Sequence, residues 1–382
     1  MEKKDIERLD EVLECGIFFE KGYPQVKDLS KFKKRIDSIL DLKIEGNKNQ
    51  LVAAYYLIYS IAWKLNIFPS SLQKVNKAQA NHEFSSQFKI PILDMTDDPL
   101  SSLRLLFKTI KLEKTQLVSL SINSKHLDQN GVYRNIMRIF AAAILEEYSG
   151  PIFLQVENML FDAKGFENDR NNLLERLKKM TQTAIKLGIY NINYDASELI
   201  DPEKSVVSEK MLMNLKMIAM STNLWVRNFQ PNGITVSVSG KIGKGAEDFI
   251  KNDELKDYLK RLMKEGSRLR FNTPGDDISK IEIDYNSLNK ISVEAINSLN
   301  LTTQKEFGLG GIVLDLGEIN NLSKFTSLKN LEVCEIKMKL VDAIKNQKSY
   351  QEIFRACNIE NKNDILDKYI MKIDQLPKMN EY

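Results

Sequence analysis

Between residues 90 and 338 eight short runs rich in aliphatic and β-branched residues recur, and amphipathic helical patterns fill much of the space between them. That alternation is the pattern of a parallel sheet whose strands are joined by crossover helices. The predicted strands are Ile90–Met95, Gln116–Ile122, Pro151–Val156, Ile189–Tyr194, Gly233–Ser239, Ser279–Asp284, Gly311–Leu316 and Val333–Met338. The predicted helices include Leu100–Lys111, Val132–Glu147, Asn171–Leu187 and Ser208–Phe229, with a charged helix, Asn252–Glu265, between the fifth and sixth strands. Eight strands with intervening helices predict an α/β fold of the TIM (β/α)8 barrel type, whose working face is formed by the C-terminal ends of the strands.

Three segments follow from this reading. Residues 1–85 form an N-terminal helical extension, with an amphipathic segment Lys27–Leu42 and an apolar helix from Gln50 that ends before Pro69-Ser70-Ser71. Residues 86–345 form the barrel, and residues 346–382 a charged helical C-terminal tail. A chain of 382 residues is long enough for one barrel with such additions. The 55 basic and 52 acidic residues leave a net charge of +3, which supplies no global field for nucleic acid or a membrane surface. The stretch Leu51–Ile67 is interrupted by Tyr, Ser and Lys and is short for a bilayer span, so it reads as a buried helix. Cys15, Cys334 and Cys357 are odd in number and lack paired spacing, which predicts reduced thiols and a cytoplasmic protein. No secretory leader is visible in the charged N-terminus.

The run Gly150-Pro151-Ile152-Phe153-Leu154-Gln155-Val156-Glu157-Asn158 is a buried strand that places two polar residues where a barrel keeps its chemistry. It resembles the strand of class II, zinc-dependent ketose-bisphosphate aldolases that ends in an Asp-His pair. Over residues 50–345 the chain is similar to a larger, divergent branch of that fructose/tagatose-bisphosphate aldolase-like family. The similar segments are Phe140–Tyr148, Ala184–Asn193, Gly233–Gly243 and Phe307–Asp315, whose order and spacing carry the resemblance. The resemblance implies a TIM barrel, a lyase-type site for sugar phosphates, a zinc ion and a homo-oligomer.

Carried over position by position, the family's motifs are degenerate. The proton-donor Asp corresponds to Glu157 and the adjacent zinc His to Asn158, a weak zinc ligand. The acidic position of the family's Gly-Gly-Glu-Ile-Gly stretch is Lys241, a charge reversal, and another zinc His corresponds to Asp315. The loop after the sixth strand reads as deleted, and Lys337-Met338-Lys339 follows the eighth strand without the small residues that admit a phosphate. With only His82 and His126 in the chain, imidazole ligands are scarce, so no zinc or other cofactor is expected. The candidate catalytic positions are then Glu157 and Lys241, the candidate substrate-binding positions Asn158, Asp315 and Lys337, and no metal ligand is predicted.

Bland readings compete with each feature. Glu157, Glu282, Asp284 and Asp315 can gather as ligands for a hard cation, but salt bridges to Lys241, Lys280 or Lys337 would fill the same space. Lys241 or Lys337 as a Schiff-base nucleophile would require a depressed pKa, whereas lysines at strand ends usually sit in ion pairs. Gly240-Lys241-Ile242-Gly243-Lys244-Gly245 lacks the spacing of a phosphate loop. Lys260, Arg261, Lys264, Arg268 and Arg270 lie without interleaved aromatics, as on a solvated helix face, and a lone loop histidine such as His126 is usually exposed. The expectation is a catalytically inactive aldolase-like barrel with a structural, scaffolding or regulatory role, as a homo-oligomer or with another protein. The alternative is a carbon–carbon lyase acting on a sugar phosphate through a rebuilt, non-zinc site.

Overall fold

Strand pairing closes on itself in the computed structural model, which describes residues 3–40, 48–127, 131–242, 254–268, 278–284, 292–321, 328–357 and 369. The barrel strands follow an N-terminal hairpin, β1 (Ile17–Glu20) and β2 (Tyr23–Val26), and a short strand, β3 (Ile67–Pro69). They are β4 (Ile90–Asp94), β5 (Ser119–Asn123), β6 (Gly150–Leu160), β7 (Asn191–Asp195), β8 (Ser237–Lys241), β9 (Lys280–Asp284), β10 (Gly311–Ile319) and β11 (Glu335–Leu340). Each pairs in parallel with the next, and β11 pairs with β4, so eight strands form a closed barrel. Described helices occupy the connections from β4 through to β10, as parallel crossovers favour.

All eight predicted strands are present, with ends displaced by a few residues. The largest displacements are at the end of β6, which runs on to Leu160 rather than Val156, and at β8, which starts at Ser237 rather than Gly233 because Arg227 and Gln230 hold the Val236 backbone in the preceding turn. The predicted helix Ser208–Phe229 is interrupted. Ser221 and Thr222 donate their hydroxyls to the carbonyls of Met217 and Ile218 at 2.7 and 2.9 Å, and residues 221–226 widen into a π turn. The loop after the sixth strand falls at residues 285–291, outside the described residues, as does most of the predicted tail beyond the helix Gln347–Ala356.

The N-terminal segment is not wholly helical. It contains α1 (Lys3–Leu13), the β1–β2 hairpin, α2 (Leu29–Leu40), α3 (Lys48–Lys64), β3 and α4 (Gln73–Ala80). β3 pairs in parallel with the first residues of β6, and its apolar side chains join those of the barrel helices in one continuous core. α4 then crosses the N-terminal end of the barrel and plugs it with amides. Asn76 Nδ2 donates to Ser237 Oγ at 3.0 Å, Gln79 Nε2 to the Cys334 carbonyl at 3.1 Å, and Gln73 Oε1 accepts from Ser279 Oγ. A Cβ at Gly310 would stand 2.8–3.1 Å from Asn76, so glycine is what allows the plug to seat this closely.

Candidate active site at the barrel mouth

Alternation along the strands fixes what faces inward. Both faces of a barrel strand are buried, so a polar residue at every second position means a polar interior. In β9 the sequence Lys280-Ile281-Glu282-Ile283 and in β11 Glu335-Ile336-Lys337-Met338 send charge inward and aliphatic side chains outward to the helices. β6 contributes Gln155 and Glu157, β7 Asn191, Asn193 and Asp195, and β8 Ser237, Ser239 and Lys241. A small apolar cluster, Ile92, Val313 and Cys334, interrupts this polar lining.

The charges form two tiers. In the lower one Lys280 Nζ lies 2.7 and 2.6 Å from the two oxygens of Glu335, with both side chains essentially inaccessible. Burial raises the Glu335 pKa against the opposing effect of Lys280. The upper tier centres on Lys337, whose ammonium is 2.9 Å from Glu157 Oε2, 3.1 Å from Glu282 Oε1 and 3.1 Å from Asp315 Oδ2. An ammonium has three N–H donors, and here each has its own carboxylate. Gln155 Nε2 donates to the second oxygen of Glu157 at 2.5 Å, and Asn193 Nδ2 to the second oxygen of Glu282 at 2.7 Å. Lys241 sits above, 3.8–3.9 Å from Asp195, Glu282 and Asp315, its side chain 17 % exposed.

Four carboxylates therefore share two ammonium groups. Burial would depress the Lys337 pKa, but Glu157, Glu282 and Asp315 together hold it well above the usual lysine value. Lys241 is likewise raised, burial being overcome chiefly by Glu282 and Asp195. Asp315 is lowered despite burial, through Lys337, the Gly317 amide and Lys241. Glu282, fully buried beside Glu157 and Asp315, is pushed up to about 8 by burial, with Lys337 opposing. The mouth thus keeps both lysines charged, and Glu282 is the carboxyl whose ionisation burial opposes most. A lysine so protonated is a poor amine nucleophile.

The structure brings Glu157, Lys241, Asp315 and Lys337 of the sequence-predicted positions into one cluster. Asn158 is placed differently. The β6–β7 register shifts between Val156 and Met159, and Asn158 takes a left-handed backbone (φ +59°) at that bulge, its carbonyl accepting from Ser124 Oγ at 2.5 Å. It contributes backbone to the rim, and no described contact joins its amide to the charges. Glu282, one of the carboxylates the sequence allows to gather there, joins them, and Asp195, Gln155 and Asn193 are additional members. His126 is not exposed as predicted: its side chain is largely buried, with Nε2 3.3 Å from Asp97 Oδ2. His82 is exposed at the end of the plugging helix, and among the described residues no contact joins either imidazole to the ionic cluster. Arg261 is paired with Asp257 at 2.9 Å on the helix Glu254–Arg268.

No protein-family model matches this chain, and no curated protein matches it. Among solved structures, it is similar to a fructose-bisphosphate aldolase from Campylobacter jejuni at 14% identity, covering 72% of this chain and 76% of that one with a TM-score of 0.43. A probable tagatose 6 phosphate kinase from Sinorhizobium meliloti 1021 is similar at 11% identity over 66% and 64% of the chains, TM-score 0.43. A D-psicose 3-epimerase from Clostridium cellulolyticum H10 is similar at 11% identity over 71% and 99%, TM-score 0.38. The barrel assignment rests on the strand pairing above.

Proposed function

We propose that this chain is an aldolase-like barrel whose mouth is occupied by an internal ion network, and that it serves as a non-catalytic structural or regulatory subunit. The observation that carries the reading is Lys337, whose ammonium is bonded within 3.1 Å to three carboxylates at the centre of the mouth. A cation bound by protein oxygens at this point would have to displace a tethered one. The donor set also does not fit zinc: among the described residues the mouth offers carboxylates, amides and ammonium groups, and no cluster of three His, Cys, Asp or Glu is arranged as a metal site. A phosphate dianion is equally ill-suited, because the carboxylates outnumber the ammonium groups even with Glu282 protonated.

Self-association or association with another protein is the partner class of this reading, and light scattering on the purified chain reads the first directly. Three buried free thiols are consistent with a reducing, cytoplasmic setting. Among the described residues no helix is long and apolar enough to cross a membrane.

One observation favours a second reading, a carbon–carbon lyase with a rebuilt site. Glu282 has a pKa near the working range of a general acid, and Lys241 above it remains partly accessible. The test is a retro-aldol assay on ketose phosphates with and without added divalent metal. No turnover above buffer is expected. Turnover that disappears in Glu282→Gln would replace the non-catalytic reading with the lyase one.

A further inference from the structure

Away from the barrel mouth, the N-terminal hairpin and α3 line a cleft of about 400 Å³, with Lys21, Tyr23 and Gln25 on one side and Tyr59, Ser60 and Trp63 on the other. We infer that this cleft is a binding site for a small planar aromatic carboxylate. Its size lies within the range of small-molecule sites, and its makeup is the usual one, an apolar wall with a few placed polar groups.

The wall is aromatic. Tyr59 and Trp63, one helical turn apart on α3, are stacked with ring centroids 6.0 Å apart and planes 28° apart, and Tyr23 lines the cleft from β2. A flat ring inserted here gains face or edge contacts of the kind worth about 0.5–1.5 kcal/mol beyond area burial. The polar floor is a pair of buried side chains. Gln25 Nε2 donates to Ser60 Oγ at 2.8 Å, which fixes the amide and leaves Gln25 Oε1 without a partner among the described residues. A ligand hydroxyl or N–H can be read there.

The rim sets the charge preference. Lys64 is committed to Glu20 at 3.2 Å and lies 6.0 Å from the Phe18 ring centre. Lys21 has no ion pair among the described residues, so the rim carries one uncommitted positive charge. Lys21 is also an unexpected residue for its backbone. It has φ +52° and is followed by Gly22 at +87°, the two-residue turn in which Asn-Gly is the favoured pair. A lysine in that place accepts a conformational cost of about 1–2 kcal/mol, and its side chain supplies what asparagine would not. An aromatic amine would meet this surplus positive charge unfavourably, whereas a carboxylate would be drawn to it.

The test is calorimetric titration of the full chain with 2-naphthoate, 2-naphthamide and 2-naphthylmethylamine, three probes that share a ring system and differ in charge. Naphthoate is expected to bind with a Kd below about 1 mM, and the amide and amine at least roughly tenfold more weakly. Lys21→Asn is expected to keep or raise the Tm, since Asn suits the turn, while bringing naphthoate affinity down to that of the amide. Trp63→Leu is expected to abolish binding of all three. Absence of heat with naphthoate up to about 1 mM, equal affinity for the three probes, preference for the amine, or an unchanged naphthoate affinity in Lys21→Asn would each overturn the assignment.

Discussion

Lys337→Met is the substitution on which the ionic mouth depends most. The change keeps an unbranched side chain one atom shorter and removes the ammonium, so the contacts of 2.9, 3.1 and 3.1 Å to Glu157, Glu282 and Asp315 are lost together. Breaking a buried ion pair by deleting one partner typically costs about 3–5 kcal/mol, because the remaining charge is left uncompensated. Lys241, at 3.8 and 3.9 Å from Glu282 and Asp315, can offset part of this by moving inward. For 382 residues the entropy of unfolding is about 0.8 kcal/mol/K, so a loss of this size lowers the Tm by about 4–6 °C. The sign with pH follows from linkage. In wild type the raised pKa of Lys337 keeps its contribution fully present below the ordinary lysine value, that is, throughout the neutral range. In the variant Glu282 and Asp315 lose the cation that opposes the effect of their burial, so their folded-state pKa values move up. Stability of the variant is then greatest under acid conditions and falls as pH rises through those values. Differential scanning calorimetry of both proteins at about pH 5.5 and about pH 8 should show the larger deficit at the higher pH. A variant as stable as wild type at about pH 8, or a deficit that grows on acidification, would refute the tripod as described.

Glu282→Gln mimics the protonated acid. The raised folded-state pKa means that the wild-type contribution is fully present below 4.5 and is lost as pH rises through about 8, so the variant should gain on wild type across that window in Tm measurements. In the lower tier, Lys280→Met and Glu335→Leu should each destabilise by about 3–5 kcal/mol, while the double substitution should recover much of the loss; chemical denaturation of the four proteins closes the cycle. Gly308 ends the helix Val293–Phe307 with φ +66°, and a Cβ added there would meet nothing within 4 Å. Gly308→Ala should therefore cost about 1 kcal/mol through backbone strain alone, and Gly308→Asn less, as read by chemical denaturation.

The barrel was legible because its signal is redundant: eight aliphatic runs and the helices between them each point to the same topology. Glu157, Lys241, Asp315 and Lys337 were legible as strand-end polar residues, since strand ends converge at the mouth of a closed barrel. Glu282 was legible in the same way, as a strand-end carboxylate able to join the mouth, and the alternating Lys280-Ile281-Glu282-Ile283 fits a charge facing the interior of a strand buried on both faces. What sequence could not supply was the pairing itself. That Lys337 rather than Lys241 makes the close contacts depends on barrel shear, which brings β11 opposite β6 and is written in no local pattern. Asn158 went to a bulge for a similar reason: the register shift next to Glu157 is a property of the β6–β7 pair. The hairpin Ile17–Val26 was missed because two four-residue strands flanking Lys21-Gly22 leave too short a run to stand out against amphipathic helices on either side.

The most direct test of an internal cation at the mouth is the metal content of the purified wild-type chain, measured by mass spectrometry together with thermal shifts in zinc, magnesium and manganese. The tethered Lys337 predicts substoichiometric metal and no stabilisation by any of the three. Stoichiometric zinc, with a Tm that rises on adding it and falls on chelation, would contradict the account of an internal cation at the mouth.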